Sequence, residues 1–307
     1  MHPILSRLRW PAVATAILVA AGTVGTARAP QAGSEKSIYV MVTDAQTNKP
    51  VTGLPASAFA IREDNIDRDV VRVAPLTEPM SVILLADTTS AMVPVPRDLR
   101  VATGAFIKRF LTSSPTSSLA LWEFGGADIP VENFTSDAAK LEDATNKLFP
   151  KGTLSDLDQV AAGSAVPRGQ NIVGSNLIEA LAGASKQLAK RPEARRIILA
   201  FHSDLSVESN GVTGQQAQNE VEKANVSVVA VSMQAQVANG PQRDNVLDGV
   251  CPYSGGRRIT ILGIQALAAT LENASDILTS QYVVTYSRPS GSAKQVLVGT
   301  RLDLVFC

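Results

Sequence analysis

The chain is short of the residues that most chemistry needs. It has 2 cysteines and 2 histidines in 307 residues. Cys251 and Cys307 are too few and too distant for a zinc knuckle or a disulfide-dense scaffold. One bridge between them and two unpaired thiols are equally open readings. His2 lies in the leader, which leaves His202 alone for acid–base work. The letters His202-Ser203-Asp204 are those of a hydrolytic triad, but three consecutive residues leaving a strand point in alternating directions and do not converge. Surplus charge is also missing. The chain balances 28 basic against 28 acidic residues. Arg7, Arg9 and Arg28 fall in the first 29 residues with no acid beside them, so the rest is mildly acidic and has no electrostatic pull toward nucleic acid or an anionic membrane. The P-loop pattern, the Gly-x-Gly-x-x-Gly turn and the Gly-x-Ser-x-Gly elbow are absent, which removes the usual signs of nucleotide binding and serine hydrolysis.

What is present begins with a targeting segment over 1–29. Arg7 and Arg9 give a basic start, Ala12 to Thr26 is a short apolar stretch, and Ala27-Arg28-Ala29 has the small-x-small form of a cleavage site. The stretch falls short of the roughly 20 apolar residues that span a bilayer, and no later segment reaches that length. A periplasmic or secreted protein without stable membrane insertion is expected. Hydrophobic residues make up 45% of the chain, enough for a substantial core.

Residues 37–78 read as a small β-rich region. Ser37 to Thr43, Phe59 to Glu63 and Val70 to Val73 have strand composition, with turn chemistry in Asp44 to Pro50 and at Asp64-Asn65. Residues 79–307 then alternate short apolar runs with amphipathic segments, the signature of a doubly wound, mostly parallel α/β sheet flanked by helices. Helices are predicted around Leu99–Phe110, after Asp137, over Leu177–Leu188, at 214–224 and at 261–280. Residues 150–173 read as an insertion and 233–258 as a long loop. A last strand is predicted over about 294–306, and these C-terminal strands are assigned to the α/β domain. Tyr282 and Tyr286 share one face of a strand and are read as packing residues.

The strongest local signal is Ser81-Val-Ile-Leu-Leu-Ala-Asp87-Thr88-Thr89-Ser90-Ala91-Met92. A buried strand ends abruptly in an acid followed by hydroxyls. Ligands of open α/β sheets bind at such carboxyl ends, and carboxylate and hydroxyl oxygens suit hard cations such as Mg²⁺ or Mn²⁺. This segment resembles the Asp-x-Ser-x-Ser motif of von Willebrand factor type A domains, with Thr89 at the first Ser and Ala91 at the second. Gly174-Ser175-Asn176-Leu177 is similar to the family's loop ahead of a helix, and Ser203-Asp204 to its strand-ending acid, though Leu205 stands where relatives have Gly. Over about 37–306 the order of motifs resembles the exported von Willebrand factor A-related proteins of acidobacteria. The shared features include Gly255-Gly256-Arg257, Ser280-Gln281-Tyr282 and Tyr286. The resemblance implies a degenerate metal-ion-dependent adhesion site with Asp87, Thr89, Ser175 and Asp204 as ligands of a weakly held Mg²⁺ or Mn²⁺. It also implies a non-enzymatic module that binds another protein through the loops at the carboxyl edge of the sheet. Ser90, Met92, Asn176 and Leu205 are the expected exposed positions of those loops. A structural domain without an active site and a metal-dependent hydrolase are the alternatives.

Overall fold

A computed structural model describes residues 34–127, 129–153, 174–208, 211–235, 240–288, 296–300 and 304–306. The targeting segment, most of the insertion and Cys307 lie outside the described residues. The amino-terminal strands are β1 (Ser34–Val40), β2 (Val42–Asp44), β3 (Phe59–Glu63), β4 (Ile66–Arg68) and β5 (Val70–Pro75). Asp64 and Asn65 turn the chain between β3 and β4 with positive φ, a conformation that Asn and Asp tolerate. The alternating part follows as β6 (Met80–Asp87), α1 (Pro96–Ser113), β7 (Ser118–Phe124), β8 (Ile129–Thr135), α2 (Ala138–Thr145) and α3 (Leu177–Leu188). It continues as β9 (Arg195–Ser203), α4 (Gly214–Ala224), β10 (Val226–Met233), α5 (Pro241–Tyr253), β11 (Arg257–Ile261) and α6 (Leu267–Thr279). The chain ends in β12 (Tyr282–Arg288), β13 (Val296–Thr300) and β14 (Leu304–Phe306).

The main sheet runs in the order β11-β10-β9-β6-β7-β8. All its pairs are parallel except β7 with β8. β6 lies in the interior and is buried at every position, as an apolar run with helices on both sides should be. Its side chains alternate between two cores. Val82, Leu84 and Ala86 pack with Leu99, Phe106 and Phe110 of α1 and Leu271 of α6. Ile83 and Leu85 pack with Leu177, Leu181 and Leu188 of α3, Val221 of α4 and Leu247 of α5. The doubly wound class expected from the alternation is thus present. Asp137 caps α2 as its chemistry suggests, accepting from the N–H groups of Ala139 and Lys140.

Two differences from the sequence reading matter. First, the supposed loop at 233–258 contains α5 and the start of the edge strand β11. Pro241 reads as a breaker but sits at the first helical turn, where its missing N–H is harmless. Pro252 lies in the last turn, and the inward face sets Arg243 beside Leu247, Val250 and Cys251, so the apolar stripe is interrupted. Second, the C-terminal strands do not extend the main sheet. They pair with the amino-terminal strands as β1-β12-β5, β13-β3-β4 and β14-β2. Phe59, Ile61, Tyr282, Val284 and Tyr286 form the core between these small sheets. Pairings across more than two hundred residues leave no trace in local pattern. Among the described residues no helix is long and apolar enough to cross a membrane.

Candidate functional site

The four residues read as ligands all stand at the carboxyl edge of the main sheet, yet the structure divides them. Asp87, the last residue of β6, is fully buried. Its Oδ1 accepts the Thr89 N–H at 2.9 Å, and its Oδ2 accepts the Ser203 N–H at 2.9 Å and the Ser206 hydroxyl at 3.3 Å. Ser206 Oγ lies 2.7 Å from Thr89 Oγ1. With its own proton directed at Asp87, Ser206 receives the Thr89 hydroxyl. Burial pushes the Asp87 carboxyl above its ordinary pKa, against the hydrogen bonds from Thr89 and Ser203 and the positive charge of Arg243.

The rest of the hydroxyl-rich turn is used inward. Thr88 donates both its N–H and its hydroxyl to the Phe124 carbonyl, at 2.9 and 3.0 Å. Ser90 donates to the Lys151 carbonyl at 3.1 Å, and the Lys151 ammonium pairs with Glu123 at 2.9 Å. Gly125, with φ +140°, lets the end of β7 press on this turn; a Cβ there would lie 3.0 Å from the backbone of Thr88 and Thr89. Ser90 and Met92 are therefore buried, not exposed as the sequence reading expects. The chain folds back as a 3-10 turn over Ser90–Met92 and drives Met92 into the core with Leu99 and Phe106.

Ser175 and Asn176 belong to the turn before α3, and both are buried. The Ser175 N–H donates to the Val207 carbonyl at 2.6 Å, and its Oγ accepts the Leu177 N–H at 3.2 Å. Asn176 Oδ1 accepts the Gly125 N–H at 2.9 Å. The loops after β6, after β7, before α3 and after β9 are thereby stitched into one surface, as the topology requires. Leu205 is half-buried against the core. Among the described residues, large apolar side chains exposed at this edge are Leu262, directly after β11, at 84% exposure, Phe149, near Lys151, and Ile129, which pairs with Glu123 at the end of β7.

Asp204 faces the other way. Its Oδ1 lies 3.5 Å from Arg258 Nη2, 3.7 Å from His202 Nδ1 and 3.8 Å from Arg243 Nη2, and finds no hydrogen-bond donor among the described residues. Arg243, on α5, is fully buried. It donates to the carbonyls of Ser206 at 2.9 Å and Asp204 at 3.3 Å, and to the Glu208 carboxylate at 3.3 Å. Arg258, on β11, bonds Asp244 at 2.8 Å, Asp248 at 2.9 Å and Ser232 Oγ at 2.7 Å. Burial, then the neighbouring Asp244, raises the Asp204 pKa, while Arg258 and Arg243 oppose the rise. His202 Nε2 sits 2.6 Å from Ser232 Oγ. Burial and the charges of Arg243 and Arg258 hold its pKa well below 6.5, so the ring is neutral at pH 7.

Three participants escape the sequence reading. Ser206 had a signal, since Asp204-x-Ser206 repeats the acid-x-hydroxyl spacing of Asp87-x-Thr89. Arg243 had none, lying in a stretch read as loop. Arg258 follows the quoted Gly-Gly-Arg by one residue and points the opposite way from Arg257, which reaches Thr43 and Asn48 of the small β region.

As they stand these side chains are a poor fit for a divalent cation. Asp87 Oδ2 accepts two hydrogen bonds, Ser175 Oγ is engaged by its own helix, and Asp204 is ringed by two guanidinium groups and an imidazole. Among the described residues no three His, Cys, Asp or Glu side chains group into a metal site.

No family model and no curated protein matches the sequence. Solved structures do. The von Willebrand factor domain of the type V pili tip protein Mfa5 from Porphyromonas gingivalis aligns at 12% identity and TM-score 0.47, covering 66% of this chain and 96% of that one. A von Willebrand factor type A protein from Catenulispora acidiphila aligns at 11% identity and TM-score 0.47, covering 91% and 72%. Proximal thread matrix protein 1 of the mussel byssus, with a zinc-occupied adhesion motif, aligns at 12% identity and TM-score 0.49, covering 71% and 49%. The chain is similar to von Willebrand factor type A domains.

Proposed function

We propose that the chain is an exported, non-enzymatic module of von Willebrand factor type A kind, related to the acidobacterial proteins it resembles. It binds another protein through the loops at the carboxyl edge of its main sheet, around a degenerate metal-ion-dependent adhesion site. The observation that carries this reading is the stitching of four loops into one edge, with Leu262 the most exposed of the large apolar side chains along it, because a large apolar side chain beside a rigid, hydrogen-bonded rim is a natural anchor for a protein partner. The leader over 1–29 supports export. A serine-nucleophile hydrolase is disfavoured by where Ser232 lies. It pairs with His202 in the manner of a nucleophile and base, but both are fully buried and Arg258 donates into the Ser232 oxygen.

The test is partner capture from the native periplasm by the wild type, Leu262→Glu and, as a control on the small β region, Ile66→Glu. Leu262→Glu should lose the captured band while Ile66→Glu keeps it, with thermal midpoints within a few degrees of the wild type because both positions are exposed. Capture that survives Leu262→Glu, or that is lost only with Ile66→Glu, places the binding surface elsewhere. A metal-supplemented phosphatase panel tests the enzymatic alternative.

A further inference from the structure

The carboxyl edge holds four acids in a small space, Asp87, Asp204, Glu208 and Asp244, and one buried cation reaches toward all of them. Arg243 projects from α5 with no solvent exposure. It hydrogen-bonds two carbonyls of the loop after β9 and the Glu208 carboxylate, lies 3.8 Å from Asp204 Oδ1 and 3.8 Å from Asp244 Oδ1, and exerts its charge on Asp87. Arg258 approaches the same Asp204 oxygen from β11 at 3.5 Å. Gly240 makes the placement feasible. A Cβ there would stand 2.6 Å from the Arg243 guanidinium carbon, so the backbone has been cleared to let the side chain pass inward.

We propose that Arg243, assisted by Arg258, is the resident cation of this edge, fulfilling internally the role that a divalent metal would play in an adhesion site. A guanidinium fork satisfies carboxylates and carbonyls at fixed geometry without exchange with solvent. A divalent ion entering beside it would meet like charge at low dielectric, and its would-be ligand Asp204 already faces two guanidinium groups. The edge is then organised without metal, and binding through it does not require a coordinated carboxylate from the partner. This deepens the proposed binding role but does not depend on the partner's identity, because its test uses the protein alone.

Mn²⁺ binding by calorimetry and thermal midpoints in Mn²⁺ and in chelator decide the matter. The wild type should bind no Mn²⁺ at about 1 mM, the weak end of extracellular divalent sites, and its midpoint should be the same with chelator. Ala91→Ser, which restores the hydroxyl that the sequence motif lacks, should also bind none. If Ala91→Ser alone creates a site, or if the wild type binds one Mn²⁺ that Asp87→Asn abolishes, the missing hydroxyl and not Arg243 governs the edge and the proposal is wrong. Asp204→Asn supplies a second arm that keeps the side chain's shape and removes its charge. In chelator its midpoint should fall by roughly 5–10 °C, because a buried pair has lost one partner. An unchanged midpoint in chelator would mean that Asp204 does not serve the arginines, which also overturns the proposal. Loss of partner capture with these results intact would strike only the binding role.

Discussion

Met92 and Cys251 show how single side chains at this edge are governed by burial. Met92 follows the acid and hydroxyls of the motif, so a loop position is the natural expectation, yet it is fully buried in the core under α1. Met92→Glu should therefore unfold the protein or cost several kcal/mol, since an unpaired carboxylate would enter an apolar site. A chemical denaturation curve that matches the wild type would show that the turn is free to swing out. Cys251, on α5, forms no disulfide among the described residues and is also fully buried. Burial raises its pKa from 9.0 to about 12. The sign follows from linkage. The folded protein holds the thiol proton more tightly than the unfolded chain, so this contribution is complete below pH 9 and is lost as pH climbs toward 12, at up to about 1.4 kcal/mol per unit. The stability difference between wild type and Cys251→Ala should accordingly shrink above pH 9. In peptide-resolved alkylation Cys251 should react only after denaturation, and rapid labelling of the native protein would contradict its burial.

At the scale of elements, α5 and β11 form the part of the site that local pattern concealed. The central strands, the order of helices and the acid at the end of β6 were legible because each is written in a few consecutive residues, as apolar runs or 3.6-residue stripes. The helix at Pro241–Tyr253 was not, because an arginine interrupts its apolar face and prolines stand in its first and last turns. The site inherited that blind spot: Asp87 and Thr89 were found by motif, whereas Arg243, whose contacts turn Asp204 aside, was unreadable. Two glycines on this unit have opposite meanings. A Cβ at Gly256 would stand 2.0 Å from the Val228 carbonyl oxygen, so Gly256→Ala must push β11 off β10 and displace Arg258. Gly249 lies inside α5 with nothing within 4 Å of such a Cβ. Gly249→Ala should stabilise by about 0.5–1 kcal/mol through helix propensity and the unfolded state. Denaturant midpoints that move in the same direction for both substitutions would contradict this account.

The whole molecule is tied together where the chain crosses between its two parts. It enters the main sheet through residues 76–80 and leaves it through 278–282, and both crossings pass one buried side chain. Arg195, at the start of β9, donates to the Glu78 carbonyl at 2.8 Å on the way in, and to the Leu278 carbonyl at 2.7 Å and Gln281 Oε1 at 2.6 Å on the way out. The Leu76 N–H, which donates to the Gln281 carbonyl at 2.8 Å, joins the two crossings directly. Burial lowers the Arg195 pKa to about 10, opposed by Tyr39 and Glu78, so the guanidinium is still charged at neutral pH and its hydrogen bonds are charge-assisted. Neither part is closed without the other, since β12 completes the small sheets only after α6 has been placed on the large one. The two parts should unfold together in the wild type. Arg195→Met keeps the apolar stem but abandons three acceptors, each bond worth about 1.5–3 kcal/mol when one partner is charged. It should thus split a single calorimetric transition into two, the small β region melting first because its core is the lesser. A single transition that moves down as a whole would mean the coupling runs through the packed strands rather than through this arginine.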